Sequence, residues 1–236
     1  MWDPFNPASL GRRRTFLLQA LAGALFAGSG SLARSRVRGE VPRRLPPGRS
    51  VYDLRGRVEV NGRPATQATF IDAGATISTQ KDSQLIFAVG ADAFLVREKS
   101  TLALNGDSLV IRGLRLVTGG LLSVFGTGER SIATPTANIG LRGTGLYLEA
   151  RPDQTYVCTC YGTAEIVVAN AASQREIIVS RHHDAPRYVF AAGATRIRPA
   201  PVINHTDMEL ALLEALVGRT LPFGLFDESY GGPRDY

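Results

Sequence analysis

Between Val51 and Arg198 apolar residues come in runs of four to six, each broken by Gly, Asn, Asp or Pro. No amphipathic helix is sustained by so short a rhythm, whereas strands joined by tight turns require it. Arg57 to Val60 leads into Asn61-Gly62, the dipeptide that best fits a two-residue hairpin. Thr69 to Ile71, Ala75 to Thr79, Gln84 to Val89 and Ala93 to Arg97 continue the pattern. Thr101 to Leu104 then precedes a second turn dipeptide, Asn105-Gly106, followed by Ser108 to Arg112, Leu114 to Val117, Gly119-Gly120 and Leu121 to Phe125. A mainly β chain of short strands is expected, solenoid-like or sandwich-like, over residues 51–198. No strict repeat period marks a regular solenoid.

Charge excludes one class of function. The chain has 27 basic and 21 acidic residues, a formal net charge of +6. The excess is confined to the first 50 residues, because 51–236 carry 18 basic and 19 acidic ones. A phosphate-tracking face needs cations clustered on the folded surface, so no nucleic-acid partner is expected.

The first 50 residues read as targeting and spacer. Arg12-Arg13-Arg14-Thr15-Phe16-Leu17, the mildly apolar run to Ala27 and Ser31-Leu32-Ala33 have the three parts of a secretory signal. The Arg13-Arg14 spacing is similar to a twin-arginine signal. The expectation is export over residues 1–33 by the twin-arginine translocon to the periplasm, with transient membrane contact through the signal. An uncleaved inner-membrane anchor is the alternative. Residues 34–50 hold six arginines and several prolines and read as an extended, solvated linker. Residues 227–236 read as a loose tail.

At Thr134-Pro135-Thr136-Ala137-Asn138-Ile139-Gly140-Leu141-Arg142-Gly143-Thr144-Gly145-Leu146-Tyr147 the chain gains an identity. Pro135 withdraws a donor and interrupts pairing, while Gly140, Gly143 and Gly145 permit bends between apolar side chains. This "TP…A…LRGT" stretch resembles the FecR domain of bacterial envelope proteins, over roughly residues 51 to 168. Gly56 to Val60 is similar to that domain's opening strand, Gly74 to Thr79 to its turn, and Ser83 to Phe87 to the next strand. Leu114 to Leu122 is similar to the segment before the TP motif, and Tyr156 to Ile166 to the closing strand. The resemblance implies a non-catalytic binding or regulatory module that senses a signal or holds an envelope protein or small ligand. Thr134, Pro135, Arg142, Gly143 and Thr144 would be structural, with Arg142 tying down loop carbonyls.

After the domain, Thr206-Asp207-Met208-Glu209 is a capping box. It opens a helix within 204–218 with Leu210, Leu213 and Val217 on one face, widened by Leu212 and Leu216. The face either docks on the β-domain or takes a partner.

One constellation carries chemistry. Cys158 and Cys160, the only cysteines, stand two apart on a predicted strand, so both thiols project to one face. His182 and His183 follow, then His205. With His182 or His183, two adjacent strand residues that cannot both face inward, the thiols suit zinc or copper. A strained disulfide or redox pair and inert packing are the competing readings. No nucleophile elbow, phosphate loop, H-E-x-x-H or dinucleotide fingerprint is present, so no enzyme is expected.

Overall fold

The computed structural model describes residues 43–224. The signal over 1–33, residues 34–42 of the linker and the tail over 227–236 lie outside the described residues. The end of the expected linker belongs to the domain: the Leu45 N–H donates to Leu216 O at 3.0 Å, and Ser50 is buried.

Among the described residues, fourteen strands form one open sheet, built around three long ones: β8 (Val110–Val124), β10 (Ala137–Ala150) and β11 (Gln154–Val168). Each runs through two half-sheets. The first half-sheet is ordered β1 (Val51–Arg55), β5 (Gln84–Val89), β6 (Asp92–Val96), the C-terminal halves of β8 and β10, the N-terminal half of β11, β13 (Arg187–Phe190) and β14 (Ile197–Pro199). The second is ordered β3 (Arg63–Pro64), β2 (Val58–Val60), β4 (Thr76–Thr79), β7 (Thr101–Asp107), the other half of β8, β9 (Glu129–Ala133), the other halves of β10 and β11, and β12 (Ala171–Ser180). All described pairings are antiparallel except β8 with β9. One apolar cluster drawn from both halves, including Ile77, Leu102, Leu85, Phe94, Leu121 and Leu148, forms the main core of this sandwich-like fold.

The long strands replace several short ones expected from the sequence. Gly113 and Gly119-Gly120 lie inside β8. Asn105-Gly106 is a bulge within β7, and the hairpin reverses instead at Ser108-Leu109. Thr69 to Ile71 is not a strand: the Ile71 N–H donates to Ser50 Oγ at 3.0 Å, which donates back to Ile71 O at 3.1 Å. One hydroxyl does there what a ladder would do. Asn61-Gly62 does make the expected hairpin between β2 and β3, with φ of 52° and 73°.

The "TP…LRGT" stretch supplies a turn and a bend. Thr134-Pro135-Thr136 reverses the chain from β9 to β10, the Thr134 N–H donating to Ala137 O at 2.8 Å. At Arg142-Gly143-Thr144 the register with β11 shifts, Gly143 takes φ 56°, and opposite it Gly162 takes φ 90°. A Cβ on Gly162 would stand 2.6 Å from Gly143 O, so the strands bend together only without one. Buried Thr144 clasps the bend by its hydroxyl, 3.0 Å from both Arg142 O and Thr163 O. Arg142 does not tie down carbonyls. Its side chain is exposed and meets Glu129 Oε1 at 2.6 Å.

Pleating gives the first half-sheet two faces. Leu121, Leu148 and Val157, aligned across β8, β10 and β11, enter the main core. Their neighbours Leu122, Tyr147 and Cys158 form a row on the opposite face, equally buried. The chain after β14 covers that second face. It carries the one helix among the described residues, α1 (Asp207–Leu216), which packs on β6 and β8. Thr206 caps α1 through the expected capping box, and Gly218 at φ 76° ends it with the paired bonds Arg219 N to Glu214 O and Gly218 N to Ala215 O. Leu210, Leu212, Leu213, Leu216 and Val217 are all buried, as a helix docked on the sheet requires. No described helix is long and apolar enough to cross a membrane.

Candidate functional site

The site lies between the second face of β11 and the segment leading into α1. Cys158 and Cys160 are free thiols and fully buried. Cys158 aligns with Tyr147 in β10, and Cys160 sits where the β10–β11 register shifts between Gly145 and Leu146.

The histidines arrive on two loops. His182 and His183 are not strand residues; they belong to the connection from β12 to β13. Asp184 organises this loop by accepting from the Arg181 N–H at 2.6 Å. His183 has φ 54°, a left-handed conformation, so strand alternation no longer governs where the adjacent rings point. Both reach Asp207, the first residue of α1. His182 Nε2 lies 2.8 Å from Oδ2, and His183 Nε2 lies 2.9 Å from Oδ1. His183 then turns Nδ1 inward, 3.3 Å from Cys158 Sγ. His182 stays at the rim, its ring 4.4 Å from that of Phe223.

His205, just ahead of the cap residue Thr206, completes the group. Its ring stacks on Tyr147 at 4.6 Å, Nδ1 lies 2.6 Å from Ile203 O, and Nε2 lies 3.0 Å from His183 Nδ1. The ligand atoms of Cys158, Cys160, His183 and His205 all lie within 4.8 Å of one another. Of the two alternatives His182 and His183, it is His183 whose ring reaches the sulfurs, and His205, which sequence alone does not place with them, joins it. Asp207 holds both loop histidines, and only His183 is turned toward the sulfurs.

The electrostatics follow from these contacts. A hydrogen bond from Cys160, helped by His183 and His205, outweighs burial and holds the Cys158 thiol well below the ordinary range. Burial, then the neighbouring Cys158 sulfur, pushes Cys160 well up. Burial works against a charged His183, but its bonds to Asp207 and Cys158 prevail and raise it to about 9. Burial likewise opposes the Asp207 carboxylate, and the two histidines outweigh it and lower its pKa. Cys158, His183 and Asp207 thus line up as a buried relay of thiol, imidazole and carboxylate.

That relay has the parts of an activated nucleophile. A nucleophile must be reached by its substrate, and Cys158 is 0% exposed. Beside a redox pair or plain packing, two buried thiols and two imidazoles that converge have the donor set of a soft or borderline metal ion.

A separate cleft of about 950 Å³ opens beside the bend of β10 and β11. Phe125, Tyr161 and Phe223 give it aromatic walls, Gly143 and Gly162 line it at the bend, and His182 is at its edge. Glu214 is buried there, holding Arg219 at 2.6 Å and accepting from the Tyr161 hydroxyl. Neither cysteine lines this cleft.

No family model matches the chain, and no curated protein sequence does. Among solved structures, it is similar to a candidate anti-sigma factor from Parabacteroides distasonis. The 1.65 Å crystal structure aligns with TM-score 0.45 and 11% identity, over 53% of this chain and 58% of that one. The 2.50 Å structure aligns with TM-score 0.44 and 9% identity over the same shares. The chain thus spans little more than half the length of that protein.

Proposed function

We propose that residues 51–198 and the helix that covers them form a non-catalytic binding and regulatory module of the FecR type. The twin-arginine signal delivers it to the periplasm, where it takes a segment of an envelope protein. The observation that carries this reading is the cleft at the Arg142-Gly143-Thr144 bend. It joins the resembling motif to a recess with aromatic walls and a charged floor of Glu214 and Arg219, a combination suited to an apolar side chain flanked by polar backbone. The absence of a catalytic step is supported by the burial of the one nucleophile–base pair described above.

A photo-crosslinking residue at Thr127, exposed on the cleft wall, tests it in the native host. The expected result is one discrete adduct in the envelope fraction, weakened when Arg181→Glu reverses the charge at the cleft. Recovery of the mature chain from the cytosol alone, or no adduct at Thr127, overturns the reading.

A further inference from the structure

Two imidazoles and two sulfurs face one another across a few ångströms, and the surroundings decide which atoms are free. Each histidine is held from behind. The His183 Nε2–H donates to Asp207 Oδ1, and the His205 Nδ1–H donates to Ile203 O. With a proton on each rear nitrogen, His183 Nδ1 and His205 Nε2 are the atoms that point inward, 3.0 Å apart. A carboxylate behind one ring and a backbone carbonyl behind the other is the arrangement that orients and strengthens metal-binding histidines. Two ring nitrogens that close need a positive charge between them, either a proton on His183 Nδ1 or a metal ion, and the Cys158 sulfur 3.3 Å away adds a soft donor to the same spot.

We propose that Cys158, Cys160, His183 and His205 are the four ligands of a closed, structural zinc(II) site that fastens the C-terminal segment to β11. Bond lengths of ~2.3 Å to sulfur and ~2.0 Å to nitrogen in a tetrahedron place neighbouring donors about 3.3 to 3.8 Å apart. The cluster spans separations from 3.0 Å to 4.8 Å, so shifts of about an ångström or less in side-chain torsions bring all four to that geometry. Two thiolates balance the ion's charge, which a site this deeply buried requires. The S₂N₂ donor set selects zinc over calcium or magnesium, which take oxygen, and over blue copper, which uses two histidines, one cysteine and a weak axial ligand. Four protein ligands leave no open position, so the ion supports structure rather than catalysis.

The donors come from β11, the β12–β13 loop and the residues preceding α1, and Asp207 joins the last two. The His183 N–H already donates to Cys160 O at 2.9 Å, so the ion would add the residues before α1 to a tie that the backbone has begun. None of the four ligands lines the cleft, so metal uptake can be measured with or without a partner bound there.

The test uses the full-length protein, purified reduced and free of chelator. Elemental analysis and native mass spectrometry should find one zinc per chain. Cobalt(II) in its place should give thiolate-to-metal charge-transfer absorption and tetrahedral d–d bands. Cys160→Ser and His205→Asn should lose stoichiometric zinc, while His182→Asn keeps it. Asp207→Asn should weaken zinc binding about 10- to 100-fold. Far-UV circular dichroism checks folding, and the wild-type cobalt spectrum does not depend on any variant. The proposal is overturned if reduced wild-type protein takes up no stoichiometric zinc, or if cobalt gives an octahedral spectrum without thiolate bands. It is also overturned if His182→Asn loses the metal while folded His205→Asn retains it.

Discussion

Tyr147 and Leu148 are adjacent in β10 yet belong to different parts of the molecule. Leu148 enters the core shared by the two half-sheets, among aliphatic and aromatic side chains. Tyr147 lies on the other face, its ring on His205 and its hydroxyl donating to Glu149 Oε1 at 2.8 Å. Both residues are fully buried. The first face is held by apolar burial, which is non-directional and tolerates exchanges of similar volume. The second adds, to the apolar burial under α1, directed contacts from the returning chain: Arg97 to Glu209, Asp207 to two histidines, Tyr156 to Pro201 O. Equal burial hides two kinds of cohesion, and they should fail under different insults.

The largest separation of the two faces comes from Phe94, stacked on Phe87 at 4.9 Å and edge-on to Phe125 at 5.8 Å. Phe94→Ala should cost about 3–5 kcal/mol in denaturant unfolding, by the same amount in zinc-loaded and zinc-stripped protein. A loss that depended on zinc would merge the faces. Next, free zinc at 100 times its Kd should add about 2.7 kcal/mol to wild-type stability and nothing to Cys160→Ser, measured by thermal melts with and without chelator. Thr206→Ala removes the α1 cap and should cost about 1 kcal/mol. That loss should register as faster hydrogen exchange across α1, with β7 unchanged.

The smallest effect belongs to Asp92 on the core side, where burial raises the carboxyl against the Gly126 N–H and Arg130. A folded pKa above the unfolded one favours the native state at low pH, and that contribution declines as pH rises through the folded value. Asp92→Asn should flatten this part of a stability–pH profile from the ordinary carboxylate range upward. A wild-type profile that instead rose with pH there, on Asp92's account, would contradict the assignment.

The face that could be read from sequence is the apolar one. Alternation and turn dipeptides mark strands wherever pairing is local, as at Asn61-Gly62, and the capping box at Thr206 marks α1. Where one strand continues through glycines, as β8 does, the same residues resemble turns, because only the partner strands distinguish a bend from a reversal. The site was half legible. Cys158 and Cys160 are recognisable from strand period alone, since both belong to one element. His205 and Asp207 could not be placed with them, because that depends on the return path of the chain across β10 and β11. His183 turned inward through a left-handed φ that no periodicity reports.

The order in which the donors occur along the chain has a consequence during synthesis. His183 follows Cys158 by 25 residues, and His205 follows His183 by a further 22. With the ribosome still holding that last stretch, β11 can pair while its two sulfurs remain open to oxidants and to passing ions. The two sulfurs can be enclosed only after the residues around His205 have emerged, which makes them among the last parts of the second face to be covered.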